Sequence, residues 1–320
     1  MITKVIDPHV HLFDLQAGEY GWLNTLSPVQ QAKIARSFIP TDMTLNGDAC
    51  LVGLVHIEAG FDNHQPWREI QNVEALITQY NQSMKLSAHE ASQSDTYTPL
   101  QCRSAGYANL IWEPQHFADA VNKQSEFRSC KGIRHILDDD AHSVLTSEHA
   151  VANLQYLERN SLLFELQAAL CDESTADLLV EVLKKVPNLA VVLNHAGFAP
   201  LSEIYEDASS LPSLKLAIWQ NNMSRLAQMP KVSVKCSAWE MMQPDYVKAE
   251  FQFRLKACIK YIAKCFTDER MMFASNFPLV LFAQGYADYW THMIELGRDC
   301  ELDINKVCFE NAQRIYQFED

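Results

Sequence analysis

Short aliphatic or β-branched runs alternate along the chain with longer stretches in which apolar residues recur every three or four positions. The short runs are Lys4-His9, Ala49-His56, Gly106-Ile111, Gly132-Ile136, Leu162-Leu166, Leu189-Leu193, Val232-Cys236 and Met271-Ala274. Continuous apolar runs of four to eight residues fit strands buried on both faces. Between them, Trp67-Lys85, Gln115-Ser125, Leu145-Glu158, Asp172-Lys185, Leu214-Gln228, Ala249-Cys265 and Ala283-Leu296 carry the helical period. This alternation predicts βα units around a parallel sheet. A doubly wound open sheet would also alternate, but it would not require eight units, and no GxGxxG follows any strand. The pattern therefore predicts an α/β fold, a single (β/α)8 TIM barrel over residues 1–320. The polar, Ser-rich segment Ser87-Leu100 reads as a surface excursion between a helix and the next strand.

Composition fits a folded chain and narrows its partners. The 320 residues are 48% hydrophobic and 21% charged, and 40 acidic against 26 basic side chains leave a net charge of −14. At about 150 residues per domain this length admits two domains, but the continuous alternation without a linker favours one. Nucleic acid affinity comes largely from Lys and Arg on phosphates, and no basic cluster exists here, so no nucleic acid partner is expected. Nine cysteines without a CxxC pair predict a reduced, cytoplasmic protein. The N-terminus lacks a signal-peptide apolar region, and no apolar stretch reaches the roughly 20 residues of a membrane span. A small-molecule substrate is the expected partner, with assembly into a homo-oligomer left open.

Active-site groups of such barrels sit at the C-terminal ends of the strands. Strand one ends in Asp7-Pro8-His9-Val10-His11, and residues two apart on a strand share a face, so His9 and His11 could together bind a divalent metal through neutral imidazole nitrogens. Strand six ends at His195, strand eight at Asn276, strand four at Arg134 and His135, strand two at His56 and Glu58, strand five at Glu165 and Gln167, and strand seven at Lys235. Each has a purely structural alternative: Arg134 could pair with Asp138 or Asp139, Lys235 with Glu165, and His56 and His135 could be turn residues. Polar groups at so many strand ends nevertheless mark that rim as a site.

The segments Ile6-Asp7-Pro8-His9-Val10-His11-Leu12-Phe13-Asp14, Gly132-Ile133-Arg134, Leu193-Asn194-His195-Ala196-Gly197, Phe273-Ala274-Ser275-Asn276-Phe277-Pro278 and Phe309-Glu310-Asn311-Ala312-Gln313-Arg314-Ile315-Tyr316, in that order, resemble the amidohydrolase-2 proteins. These are metal-dependent TIM-barrel hydrolases of the amidohydrolase superfamily, sugar-acid and pyrone-dicarboxylate lactonases among them. The resemblance implies that His9 and His11 line the metal or substrate centre, that His195 meets the hydrolytic water or the substrate carbonyl, and that Arg134 holds an acidic or polyhydroxy substrate. It also implies a general-base Asp on strand eight, where this chain has Asn276. An amide has no useful basicity near neutral pH, so Asn276 can only orient a water or offer its carbonyl oxygen, and another group must serve as base: His195 first, then Glu58 or Glu165. Asn276 also fits a relic that only binds ligand, or an inactive engineered variant. Strand five offers Gln167 instead of His, so the expected cofactor is one weakly bound divalent metal, zinc first, or none.

The expected reaction is hydrolysis of a sugar-acid or small carboxylated lactone, with His195 as base or orienter, Arg134 and the His9/His11 pair, or a metal on that pair, stabilising the oxyanion, and His56, Glu58, Gln167, Lys235, Trp112 and Trp239 as substrate contacts. The alternatives are a metal-dependent decarboxylase or amide hydrolase of the same superfamily, and a non-catalytic ligand-binding barrel.

Overall fold

A computed structural model of the chain describes residues 2–90, 98–205 and 212–319. Eight strands form one sheet in the order of the sequence, and every neighbouring pair is parallel. They are β1 (Thr3–Val10), β2 (Ala49–Ile57), β3 (Gln101–Tyr107), β4 (Cys130–Ile136), β5 (Leu163–Gln167), β6 (Val191–Leu193), β7 (Val232–Cys236) and β8 (Met271–Phe273). The barrel closes just beyond the end of β8, where Asn276 N donates to His9 O at 3.0 Å and His11 N to Phe277 O at 2.7 Å. The expected (β/α)8 barrel is the fold observed. Closure on the C-terminal rim places the ends of β1 and β8 against each other, which is where the site forms.

Helices cover the outside: α1 (Pro28–Ile34), α2 (Trp67–Glu90), α3 (Pro114–Ser125), α4 (Ala141–Leu145), α5 (Ala150–Arg159), α6 (Glu173–Leu183), α7 (Leu214–Ala227), α8 (Trp239–Met242), α9 (Gln252–Phe266), α10 (Tyr286–Asp299) and α11 (Asn311–Ile315). Their apolar stripes bury the main core against the sheet. A second, smaller core lies inside the barrel, where Ile6, Val55, Leu163 and Val192 meet Tyr316 and Phe318 of the C-terminal tail. Gly53 leaves room for that plug, since a Cβ there would stand 2.9 Å from the Phe318 ring. The tail thus seals the end of the barrel opposite the site. No described helix is long and apolar enough to cross a membrane.

Two elements differ from the sequence reading. The third strand is Gln101–Tyr107 and not Gly106-Ile111, because Arg103 and Ser104 are buried polar residues that hide the strand from an apolar-run criterion. Arg103 donates to Gln317 O and lies over the Phe318 ring at 4.9 Å, while Leu110 and Ile111 fall in the following turn. The helix expected over Leu145-Glu158 is two helices, α4 and α5, broken at residues 146–149. The Ser-rich excursion begins inside α2, which runs to Glu90; its positions 91–97 lie outside the described residues.

Candidate active site

Each strand end delivers its side chain through a specific local device. At β6 the chain turns left-handed for four residues in succession: His195 (φ 54°), Ala196 (φ 49°), Gly197 (φ 59°) and Phe198 (φ 54°). A left-handed L-residue costs roughly 1–2 kcal/mol, so such a run persists only where its surroundings enforce it. Trp219 Nε1 donates to Ala196 O at 2.9 Å, Leu170 N to Gly197 O at 3.0 Å, and His195 Nδ1 lies 2.9 Å from Ser237 Oγ. At Gly197 a Cβ would sit 2.7 Å from the Leu170 side chain. Gly197→Ala is therefore expected to destabilise the fold by about 1–3 kcal/mol, read as a lower urea midpoint, and to lower activity by displacing His195.

The ends of β1 and β8 are joined by a buried carboxylate. Asp7 accepts from Ser275 N (3.1 Å), Ser275 Oγ (2.5 Å), Tyr286 Oη (3.1 Å) and His9 N (3.3 Å). Desolvation pushes its pKa up to about 6, against the lowering effect of those bonds. Asp7 holds the rim together.

Six of the expected residues line one cavity of about 410 Å³: His11, Glu58, Arg134, Gln167, His195 and Asn276. Arg134 is clamped, with Nε on Glu58 Oε1 (2.7 Å), Nη2 on Glu58 O (2.5 Å) and Nη1 on Gln167 Oε1 (3.2 Å). It pairs with Glu58, not with Asp138 or Asp139. A guanidinium has five N–H donors, so three bonds leave two of them for a ligand. His135 lines the same cavity, and burial lowers its pKa to about 4. His11, His9 and His195 are all held well below the usual histidine range, chiefly by burial and then by nearby cations, Arg134 and Lys235 among them. The three imidazoles are neutral at physiological pH.

The other expected residues stand away from this cavity, and the structure corrects them. His56 is fully buried; Nε2 donates to Glu69 Oε1 at 3.0 Å and Nδ1 accepts from Leu12 N at 3.2 Å, so both nitrogens are taken by the scaffold. Trp239 is buried with its indole N–H unpartnered among the described residues, and Trp112 packs on Tyr107 and His116 outside the lining. Lys235 is 0% exposed and ion-paired at 2.7 Å with Glu165, which also accepts from Tyr316 Oη at 2.5 Å. The plain pairing of Lys235 with Glu165 is thus the one observed. It removes both from substrate contact and Glu165 from service as the base.

Tautomers decide what the histidine pair of β1 can hold. His11 Nδ1 donates to Ile57 O at 2.8 Å, leaving the Nε2 lone pair free. His9 Nδ1 faces Lys235 Nζ at 3.4 Å and accepts from the ammonium, which puts the ring proton on Nε2, a buried atom without a hydrogen-bond partner among the described residues. No group of three His, Cys, Asp or Glu able to hold a metal occurs among the described residues. The two cations beside the imidazoles also oppose a bound cation. This donor set does not fit a firmly held divalent ion.

Sequence reasoning missed Glu240. It sits on α8, the single turn after β7, is 3% exposed, and accepts from Asn276 Nδ2 at 2.7 Å. The available signal was a lone carboxylate set among Trp239, Met241 and Met242 just past a strand end.

The family model described as Amidohydrolase matches residues 6–318. The chain belongs to the amidohydrolase family. It is thereby a hydrolase, as the order of its motifs implied. Among curated relatives, it is 23% identical to L-rhamnono-gamma-lactonase of Scheffersomyces stipitis, covering 98% of both chains. It is 24% identical to L-fucono-1,5-lactonase of Burkholderia multivorans, covering 88% of this chain and 84% of that one. A crystal structure of an amidohydrolase from Burkholderia multivorans with zinc bound superposes with a TM-score of 0.73 at 17% identity, over 98% of this chain and 99% of that one. At that identity the likeness speaks to the barrel alone.

Proposed function

We propose that this amidohydrolase is a lactonase that opens a sugar-acid or other small carboxylated lactone by attack of water on the ring carbonyl. The observation that carries the reading is one cavity in which a clamped guanidinium with unused N–H groups meets uncharged imidazoles. The lactonase names of two curated relatives support it.

The steps use this chain's own groups. His195, in the tautomer that donates Nδ1–H to Ser237 Oγ, presents the Nε2 lone pair to the cavity and takes a proton from the attacking water. The new C–O bond forms as the carbonyl pair moves onto oxygen, and the free N–H groups of Arg134 stabilise that charge. Collapse breaks the ring C–O bond, and His195 returns its proton to the departing alkoxide. The product is the open hydroxy acid. His11, whose Nε2 carries a lone pair, accepts from a substrate hydroxyl and cannot stabilise the oxyanion as a donor. The expected cofactor, one loosely held divalent ion, zinc first, or none, is assigned to His9 and His11; of that pair only His11 Nε2 keeps a free lone pair, and no step here runs through a metal.

Asn276 in place of a carboxylate favours one other reading, a barrel that binds its ligand without turnover. Gamma- and delta-lactones of aldonic acids incubated in heavy-oxygen water separate the two. Enzyme-dependent ring opening with one heavy oxygen in the product carboxylate is expected. Ligand binding with ring opening no faster than in buffer would leave the binding barrel. Arg134→Lys is expected to lower kcat/KM by roughly 10²-fold, since a lysine cannot hold Glu58 and Gln167 and still offer a planar pair of donors. Retention of full activity would remove Arg134 from the reaction.

A further inference from the structure

Glu240 is a buried carboxyl group behind the cavity lining, in contact with the lining residue Asn276, that the steps above do not use. It is in no ion pair among the described residues; Oε1 takes the Asn276 amide, and Oε2 is buried without a partner. The titratable groups whose acidity its charge affects are Tyr246, on the segment between α8 and α9, and Tyr289 on α10. Both are pushed further from ionisation by burial first. Gln284 Nε2 donates to Tyr246 Oη at 2.5 Å, and Tyr289 Oη donates to Ala274 O at 2.5 Å. Both are uncharged at physiological pH, so no cation offsets Glu240.

An ionised carboxylate only accepts hydrogen bonds. Its contact with Asn276 therefore settles which way that amide points: Nδ2 toward Glu240, and Oδ1 away from it. Asn276 lines the cavity, is held at φ 60°, and its Oδ1 takes no hydrogen bond among the described residues. We infer that Glu240 is a positioning residue that holds the Asn276 amide with its carbonyl oxygen toward the cavity, giving strand eight an acceptor for the attacking water. Uptake of a proton by Glu240 releases that hold. The role assigned to the water rests on the lactonase reading; the amide orientation and its release do not.

The pH range follows from burial. Desolvation raises the Glu240 pKa to about 7, and the Asn276 bond opposes it only partly. Above that value the carboxylate is charged and the amide is fixed. Below it, the neutral acid gains an O–H donor that competes for Oδ1, and the orientation is no longer imposed. The rate of ring opening is therefore expected to fall as pH drops through neutrality.

The test uses the full chain with nitrogen-15 label, the Asn276 side-chain amide being assigned through its own backbone connectivity. Its resonance is expected to shift with a midpoint near pH 7. An infrared band of a protonated carboxyl should titrate in step and be missing from Glu240→Gln. For a lactone that is turned over, kcat should rise roughly tenfold from about pH 6 to about pH 8, and Glu240→Gln should flatten that step while KM stays within about twofold. An amide that does not respond, a carboxyl midpoint below about 5, or an unchanged pH step in Glu240→Gln would each overturn the inference. If no lactone is opened, the lactonase reading fails while the amide titration still decides the role of Glu240.

Discussion

His195→Asn is expected to lower kcat/KM for lactone opening by roughly 10²–10⁴-fold, the usual contribution of a positioned general base. Asparagine is the informative replacement because it tolerates the left-handed backbone that position 195 adopts, at φ 54°. An alanine would mix loss of the base with strain in the loop. The amide keeps a polar group near Ser237 but has no lone pair basic enough to take a proton from water. Loss of the Ser237 bond should cost only about 1 kcal/mol, so a melt should move by a few degrees at most while turnover collapses. Near-normal turnover would exclude His195 as the base.

Lys235→Met is expected to have the largest effect on stability, about 3–5 kcal/mol, measured as the unfolding free energy in urea. Lys235 and Glu165 are both 0% exposed and 2.7 Å apart inside the barrel. Removing the cation leaves a fully buried carboxylate whose one remaining side-chain partner among the described residues is the Tyr316 hydroxyl. The same change takes the donor from His9 Nδ1. The double variant Lys235→Met/Glu165→Gln should recover much of the loss, because the uncompensated charge goes with it. A single-variant loss below about 1 kcal/mol would mean that water reaches Glu165 in the absence of the lysine.

The barrel was legible because seven of its eight strands are apolar runs with helical periods between them. The third was displaced because its interior positions carry Arg103 and Ser104, which are satisfied by the C-terminal tail and by neighbouring loops more than two dozen positions away. The rim was legible as a set of residues but not as a set of bonds. Period two put His9 and His11 on one face, yet register shifts in β1 and the bonds to Ile57 and Lys235 gave the two rings opposite tautomers. Arg134 has acidic neighbours at 138 and 139 but pairs with Glu58 on a neighbouring part of the rim. Glu240 went unread because its partner, Asn276, is 36 residues away, and only the turn after β7 brings them together.

Lactone opening by His195 is measured most directly as proton release from a panel of aldonic gamma- and delta-lactones, followed side by side with the native chain and with His195→Asn. Turnover of at least one lactone by the native chain and its loss in the variant are expected. No turnover of any lactone, or equal turnover by both proteins, would contradict the mechanism.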